Sequence, residues 1–166
     1  MIVSTAIEKM IAYYEGDQRS ISHFMRVWGY ARTIGELEQL DAHTQEVLEL
    51  AAVVHDIACP LCIKKYGDAC GKNQEKESAP LVAEFFAQLP VAPADVERIS
   101  WLVCHHHTYS DVDGIDHRIL LEADYLVNAG SRETPKEAIE KAREVFYRTA
   151  AGTRLLESIY LNHREG

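Results

Sequence analysis

The chain has 166 residues, 47% of them hydrophobic, which suits one domain around a single sizeable core and leaves too little length for two. Lys+Arg 17 against Asp+Glu 26 gives a formal net charge of -9 at pH 7, so a nucleic-acid backbone would be repelled unless the few basic residues formed one stripe. A nucleic-acid docking surface is therefore disfavoured, whereas a small phosphorylated ligand stays open, because a bound cation or local cluster reverses the sign inside a pocket.

The opening residues MIVSTAIEKMIAYYEG lack a basic n-region, a long apolar run and a small-residue cleavage site. No stretch reaches the roughly 18 apolar residues of a membrane span, so a cytoplasmic protein without membrane attachment is expected. Apolar residues three and four apart predict helices over residues 3 to 14 and 19 to 40, the second carrying Ile21, Phe24, Val27, Ala31 and Ile34. A third helix is expected to be capped by Thr44 and to run through Val47, Leu48, Ala51 and Ala52 to His55, with Glu46 and Glu49 on its early turns and outer face and Pro60 as its stop. The polar segment CPLCIKKYGDACGKNQEKES breaks the periodicity and reads as a long irregular connection. Helices follow from about Pro80 to Leu89 and from Pro93 to about Cys104, then a loop TYSDVDG, then a helix carrying HRILLEADYLVN. Thr134, Pro135 and Glu137 form a capping-box start for a last helix to about Thr149. The expected fold is an all-α, single-domain bundle over residues 1–166, with helices over 131–161 packing on it or offering a homodimer surface.

Four residues on inward helix faces or ends invite a metal. His23 shares a stripe with Val27, Tyr30 and Ile34, Asp124 shares one with Leu120 and Val127, and His55 and Asp56 close an apolar run. Singly, His23 reads as a hydrogen-bonded core histidine and Asp124 as half of a salt bridge. Together, two imidazoles and two carboxylates form a donor set suited to a first-row divalent ion, whose charge offsets the burial of the acids.

In this order, on successive helices, His23 in SHFMRVWGYA, His55 and Asp56 in LAAVVHDIA and Asp124 in LLEADYLVN resemble the H…HD…D signature of the HD-domain superfamily of metal-dependent phosphohydrolases. The resemblance spans about residues 18 to 128. It implies an all-helical bundle, one or two metal ions held by those four residues, and hydrolysis of a phosphate ester or anhydride of a small metabolite, often a nucleotide. Such an ion would lower the pKa of water and polarise phosphorus at once. Asp56 counts among the catalytic residues as well as the ligands. Arg26, Lys64 and Lys65 are candidates to counter charge on the phosphoryl oxygens, against the plain reading of solvated lysines and a bracing arginine. Mixed His/Asp ligation leaves Mn, Fe, Co, Ni, Zn and Mg open.

Some members of the superfamily add histidines between the HD pair and the last aspartate to hold a second ion. CHHHTY lies in that interval, and either His106 or His107 is expected to face the site, since three consecutive residues cannot share a face. QEKESAPLVAEFF, where the multi-histidine members place another ligand, offers only Glu75 and Glu77. Cys59 and Cys62, with Cys70 and Cys104, suggest either a separate structural zinc site or incidental reduced thiols. Trp28, Trp101, Phe85, Phe86 and Phe146 read as core, and Asp111, Asp113 and Asp116 as a solvated acidic turn. Three functions follow from the resemblance: a phosphohydrolase first, an HD-fold di-iron oxygenase as runner-up, and a non-catalytic metal-binding sensor or scaffold third.

Overall fold

The structure is a computed structural model in which residues 2–162 are described; the reading of 1–166 as one domain extends over Met1 and residues 163–166, which lie outside the described residues. The fold is all-α, with no strand among the described residues. Its helices are α1 Ile2–Tyr13, α2 Gln18–Leu37, α3 Ala42–Val54, α4 Cys59–Tyr66, α5 Gly71–Phe86, α6 Pro93–His105, α7 Gly114–Ser131, α8 Lys136–Val145 and α9 Ala150–Leu156. A π-helical turn, Glu157–Leu161, follows α9 directly.

The bundle is organised around α3. Every residue from Val47 to Val54 is buried, and α1, α2, α6 and α7 pack around the helix. A helix apolar on all sides can be stable only in such a position. Glu49 departs from its expected outer face: it is buried, and its carboxylate accepts hydrogen bonds from Trp28 Nε1 and Gln45 Nε2, each at 2.9 Å. α2 and α7 lie on one side of α3, each presenting a stripe such as Phe24, Val27, Ala31 and Ile34 on α2.

Aspartates start the two helices that lead to the site. Asp17 accepts from Arg19 N and Ser20 N, and Asp41 from His43 N and Thr44 N, so each meets two of the donors that an N-terminus leaves free. Asp41 therefore takes the capping role expected of Thr44, whose hydroxyl instead donates to Asp41 Oδ2 at 2.7 Å.

The expected irregular segment after residue 58 is mostly helical. Pro60 begins α4 rather than merely ending α3, Gly67 closes α4 at φ 82°, and α5 starts at Gly71, well before Pro80. Its periodicity is masked because Gln74 and Ser78 occupy buried positions on the same stripe as Val82 and Phe85. Pro80 sits inside α5 on an exposed face, where water can take the carbonyl it leaves unpaired.

The capping box at Thr134 does not form. Pro135 takes the cap position of α8, which ends at Val145, and Thr149 starts a separate α9 by accepting from Gly152 N. Glu122 of α7 secures this junction. Fully buried, it accepts from Arg148 N at 2.7 Å, Thr149 N at 3.1 Å and the Thr149 hydroxyl.

Candidate metal centre

Three helix ends and two helix faces converge beside α3. His55 is the C-terminal cap of α3 and Asp56 the first residue of the turn beyond it; His23 comes from α2 and Asp124 from α7. His106 caps the C-terminus of α6, with His107 next in the chain. Tyr13, the last residue of α1, and Tyr14 just beyond it clamp the turn that carries Asp56, donating to Ile57 O at 2.9 Å and Asp56 O at 3.2 Å. The backbone amide of Cys59 donates to Asp56 O at 2.9 Å.

The donor atoms crowd together. His23 Nε2 lies 3.2 Å from His55 Nε2, 3.2 Å from Asp56 Oδ2 and 3.3 Å from Asp124 Oδ1. His55 Nε2 lies 3.4 Å from Asp56 Oδ2 and 3.6 Å from Asp124 Oδ1. Ligands about 2.1 Å from one ion stand roughly 3.0 to 3.4 Å from each other in octahedral or tetrahedral geometry, so these separations fit the edges of a coordination shell. The other oxygen of Asp56, Oδ1, faces His106 Nε2 at 3.5 Å, and Asp56, His106 and His107 form a second group with converging ligand atoms.

Hydrogen bonding selects the atoms that point inward. His55 Nδ1 bonds Ala52 O at 2.8 Å and His106 Nδ1 bonds Val103 O at 2.6 Å, which places the lone pair of each ring on Nε2. Asp124 Oδ1, His106 Nε2 and His107 Nε2 are buried without a hydrogen bond of acceptable geometry. Buried polar atoms left in that condition are rare; a cation among His23, His55, Asp56 and Asp124 would satisfy the first, and one among Asp56, His106 and His107 the other two.

The same groups also balance one another's charge. Burial works to lower the His55 pKa, but the carboxylates of Asp56 and Asp124 overcome it and hold the imidazole well above its ordinary value. His23 is raised in the same way against burial by Asp124 and Asp56. For Asp56 and Asp124, burial acts to raise the pKa, and the neighbouring histidines outweigh it and bring both below the usual carboxylate range. His107 is pushed down to about 4 by burial and by His106, which outweigh the pull of Asp124 and Asp56.

Among the sequence candidates, His23, His55, Asp56 and Asp124 come together, and both His106 and His107 join them where one was expected. His105 turns away: its ring stacks on Trp101 and its Nδ1 bonds Trp101 O at 2.7 Å. The candidate cations lie outside this cluster. Arg26 is exposed and donates to Ser131 Oγ, Lys65 is paired with Glu77 at 2.8 Å, and Lys64 is exposed on α4. Glu75 accepts from Thr108 and Glu77 is taken by Lys65 and Tyr66. The cysteines do not assemble a zinc site: all four are free thiols, and none joins a metal-binding group among the described residues.

The acidic turn after α6 is not merely solvated. Arg98 stacks on Trp101, holds Asp116 through two hydrogen bonds and reaches Asp113, and Asp116 itself is buried. His117, absent from the expected site residues, completes this brace by bonding His105 O at 3.0 Å and accepting from Asp113 N. The available signal was its position on the buried face of α7, two turns before Asp124.

An all-α bundle that gathers this His/Asp set from α2, α3 and α7 defines a class of helical domains with a donor set that could hold a metal. The family model for the HD domain matches residues 20–129, and the chain belongs to that family. A solved structure described as a predicted HD superfamily hydrolase, from an uncultured Thermotogales bacterium, shares the fold. The TM-score is 0.69 at 20% sequence identity, covering 95% of this chain and 84% of that one. No curated protein matches the chain.

Proposed function

We propose that the protein is a metal-dependent phosphohydrolase acting on a phosphate ester or anhydride of a small phosphorylated metabolite, with nucleotides the first group to screen. The observation that carries this reading is the convergence of His23 Nε2, His55 Nε2, Asp56 Oδ2 and Asp124 Oδ1 at coordination-shell separations. Those four residues would hold one divalent ion. Asp56 turns its second oxygen to His106, so Asp56, His106 and His107 would hold another. A bound divalent ion supplies Lewis acidity toward water and toward phosphoryl oxygens.

The chain's own residues do the rest. The carbonyls of Ala52 and Val103 fix the rings of His55 and His106, and the tyrosine clamp at the end of α1 fixes the turn of Asp56, so the donor set is pre-organised. Arg26, Lys64 and Lys65 lie outside the cluster and would have to turn toward it to counter charge on the phosphoryl group. To do so, Arg26 exchanges Ser131 for substrate and Lys65 exchanges Glu77.

The test is elemental analysis of the purified protein and of Asp124→Ala prepared identically, alongside phosphate release from a panel of phosphorylated metabolites. A transition metal present in the parent and lost in the variant, together with metal-dependent phosphate release, is the expected result; phosphate release that survives both the substitution and chelation would overturn the proposal. A second reading, the di-iron oxygenase, is favoured by the sharing of Asp56 between two groups. Two iron atoms per chain with oxygen consumption and no phosphate release would establish it instead.

A further inference from the structure

A cavity of about 360 Å³ lies along α7 beyond the metal centre, lined by Tyr109, Tyr125, Asn128, Arg132, Lys141 and Phe146 among others. Its volume is in the range that takes a small organic ligand. It shares two chain segments with the centre. Asn128 stands one turn beyond Asp124 on the same face of α7, and Tyr109 follows His107 by two residues.

The lining has two chemical parts. Tyr109 and Tyr125 each meet Phe146 edge to face with ring centroids 5.0 Å apart, which makes an aromatic wall suited to a flat ring. Arg132 and Lys141 add two positive charges, and among the described residues neither forms an ion pair, on a chain whose net charge is -9. Two cations without an ion-pair partner beside an aromatic wall favour a ligand that is both flat and anionic.

Resting on the phosphohydrolase reading, we propose that this cavity is the leaving-group subsite and that the substrate is a phosphate monoester whose alcohol carries a flat ring and a second anionic group. The phosphoryl group lies at the His/Asp centre, the ring among Tyr109, Tyr125 and Phe146, and the second anion toward Arg132 and Lys141. Water adds to phosphorus and the phosphorus–oxygen bond to the alcohol breaks. One proton of the water leaves with the alcohol and the other stays on the phosphate side.

Phosphonates test the subsite without turnover, because a carbon–phosphorus bond replaces the ester. Calorimetric titration of the purified, metal-bearing protein with methylphosphonate, phenylphosphonate and 4-phosphonobenzoate separates the contributions of ring and charge. Phenylphosphonate is expected to bind about tenfold more tightly than methylphosphonate, and 4-phosphonobenzoate more tightly still. Ala138 is exposed at the rim on α8, so Ala138→Trp adds bulk there without entering the core and is expected to bring the ring preference close to unity. Lys141→Ala is expected to abolish the added affinity of 4-phosphonobenzoate.

Equal binding of methylphosphonate and phenylphosphonate, a ring preference that survives in folded Ala138→Trp, or no binding of any of the three would overturn the subsite. Should Ala138→Trp fail to fold, an unchanged preference for 4-phosphonobenzoate in Lys141→Ala overturns it instead. Phosphate release from p-nitrophenyl phosphate is measured in parallel. Ring selectivity without release removes the hydrolase reading and leaves the subsite, whereas release without ring selectivity does the reverse.

Discussion

Replacing Glu122 by alanine is expected to lower folding stability by about 3 kcal/mol. The carboxylate accepts two backbone amides, Arg148 N and Thr149 N, and the Thr149 hydroxyl, all at a junction where Thr149 is itself buried. Each amide left without a partner costs about 1 to 2 kcal/mol, and the space vacated by the side chain adds roughly 1 more, partly offset by no longer burying a carboxyl. Glu122→Gln keeps an acceptor for the amides and is expected to cost only about 1 kcal/mol. Urea denaturation followed by circular dichroism at neutral pH measures both. An alanine variant within about 1 kcal/mol of the parent would show that the α8–α9 junction does not depend on this side chain. The pH profile supplies a second readout. Burial outweighs the hydrogen bonds and raises the Glu122 pKa above 4.5, so the folded state holds its proton to higher pH than the unfolded state does. The contribution is fully present below the unfolded value and is lost as pH rises through the folded one, and Glu122→Gln removes that slope.

Gly152→Ala is expected to destabilise the same junction, because a Cβ there would run into Glu122 Oε2 and Thr149 Oγ1; in Glu122→Ala the added penalty should shrink, as a double-mutant cycle in urea would show. Arg98→Ala is expected to speed amide exchange across residues 106 to 117 while leaving α2 and α3 protected, since the arginine ties Asp113 and Asp116 to α6; uniform exchange rates in variant and parent would refute this role. Metal uptake should release protons near neutral pH, because the carboxylates raise the pKa of both His23 and His55 and an ion must displace what they hold. Calorimetry in two buffers of different ionisation heat counts those protons, and affinity that does not weaken as pH falls would contradict the expected competition.

The residues most legible in the sequence were those on regular helix faces. His23 and Asp124 lie within long amphipathic stripes, so helical spacing alone turned them inward. His106 and His107 were harder because α6 ends there. At His106 the backbone takes φ -69° and ψ -4°, beyond which helical spacing no longer tells which way a side chain points. α5 was obscured for a different reason, since a buried Gln74 and Ser78 erase the apolar contrast on which periodicity depends. Arg98 and Asp116 form their link between two helices across a loop, a distance that no local pattern encodes.

The dispersal of the centre over α2, α3, α6 and α7 also bears on how it is assembled in time. Four helices separate His23 from Asp124 in the chain, so closing this cluster requires a long loop and comes with global folding rather than with any local unit. An ion bound there is held by the native topology as a whole. Binding an ion there ties helices from distant parts of the chain together, so it is expected to stabilise the whole bundle and to slow its global unfolding rather than any local opening.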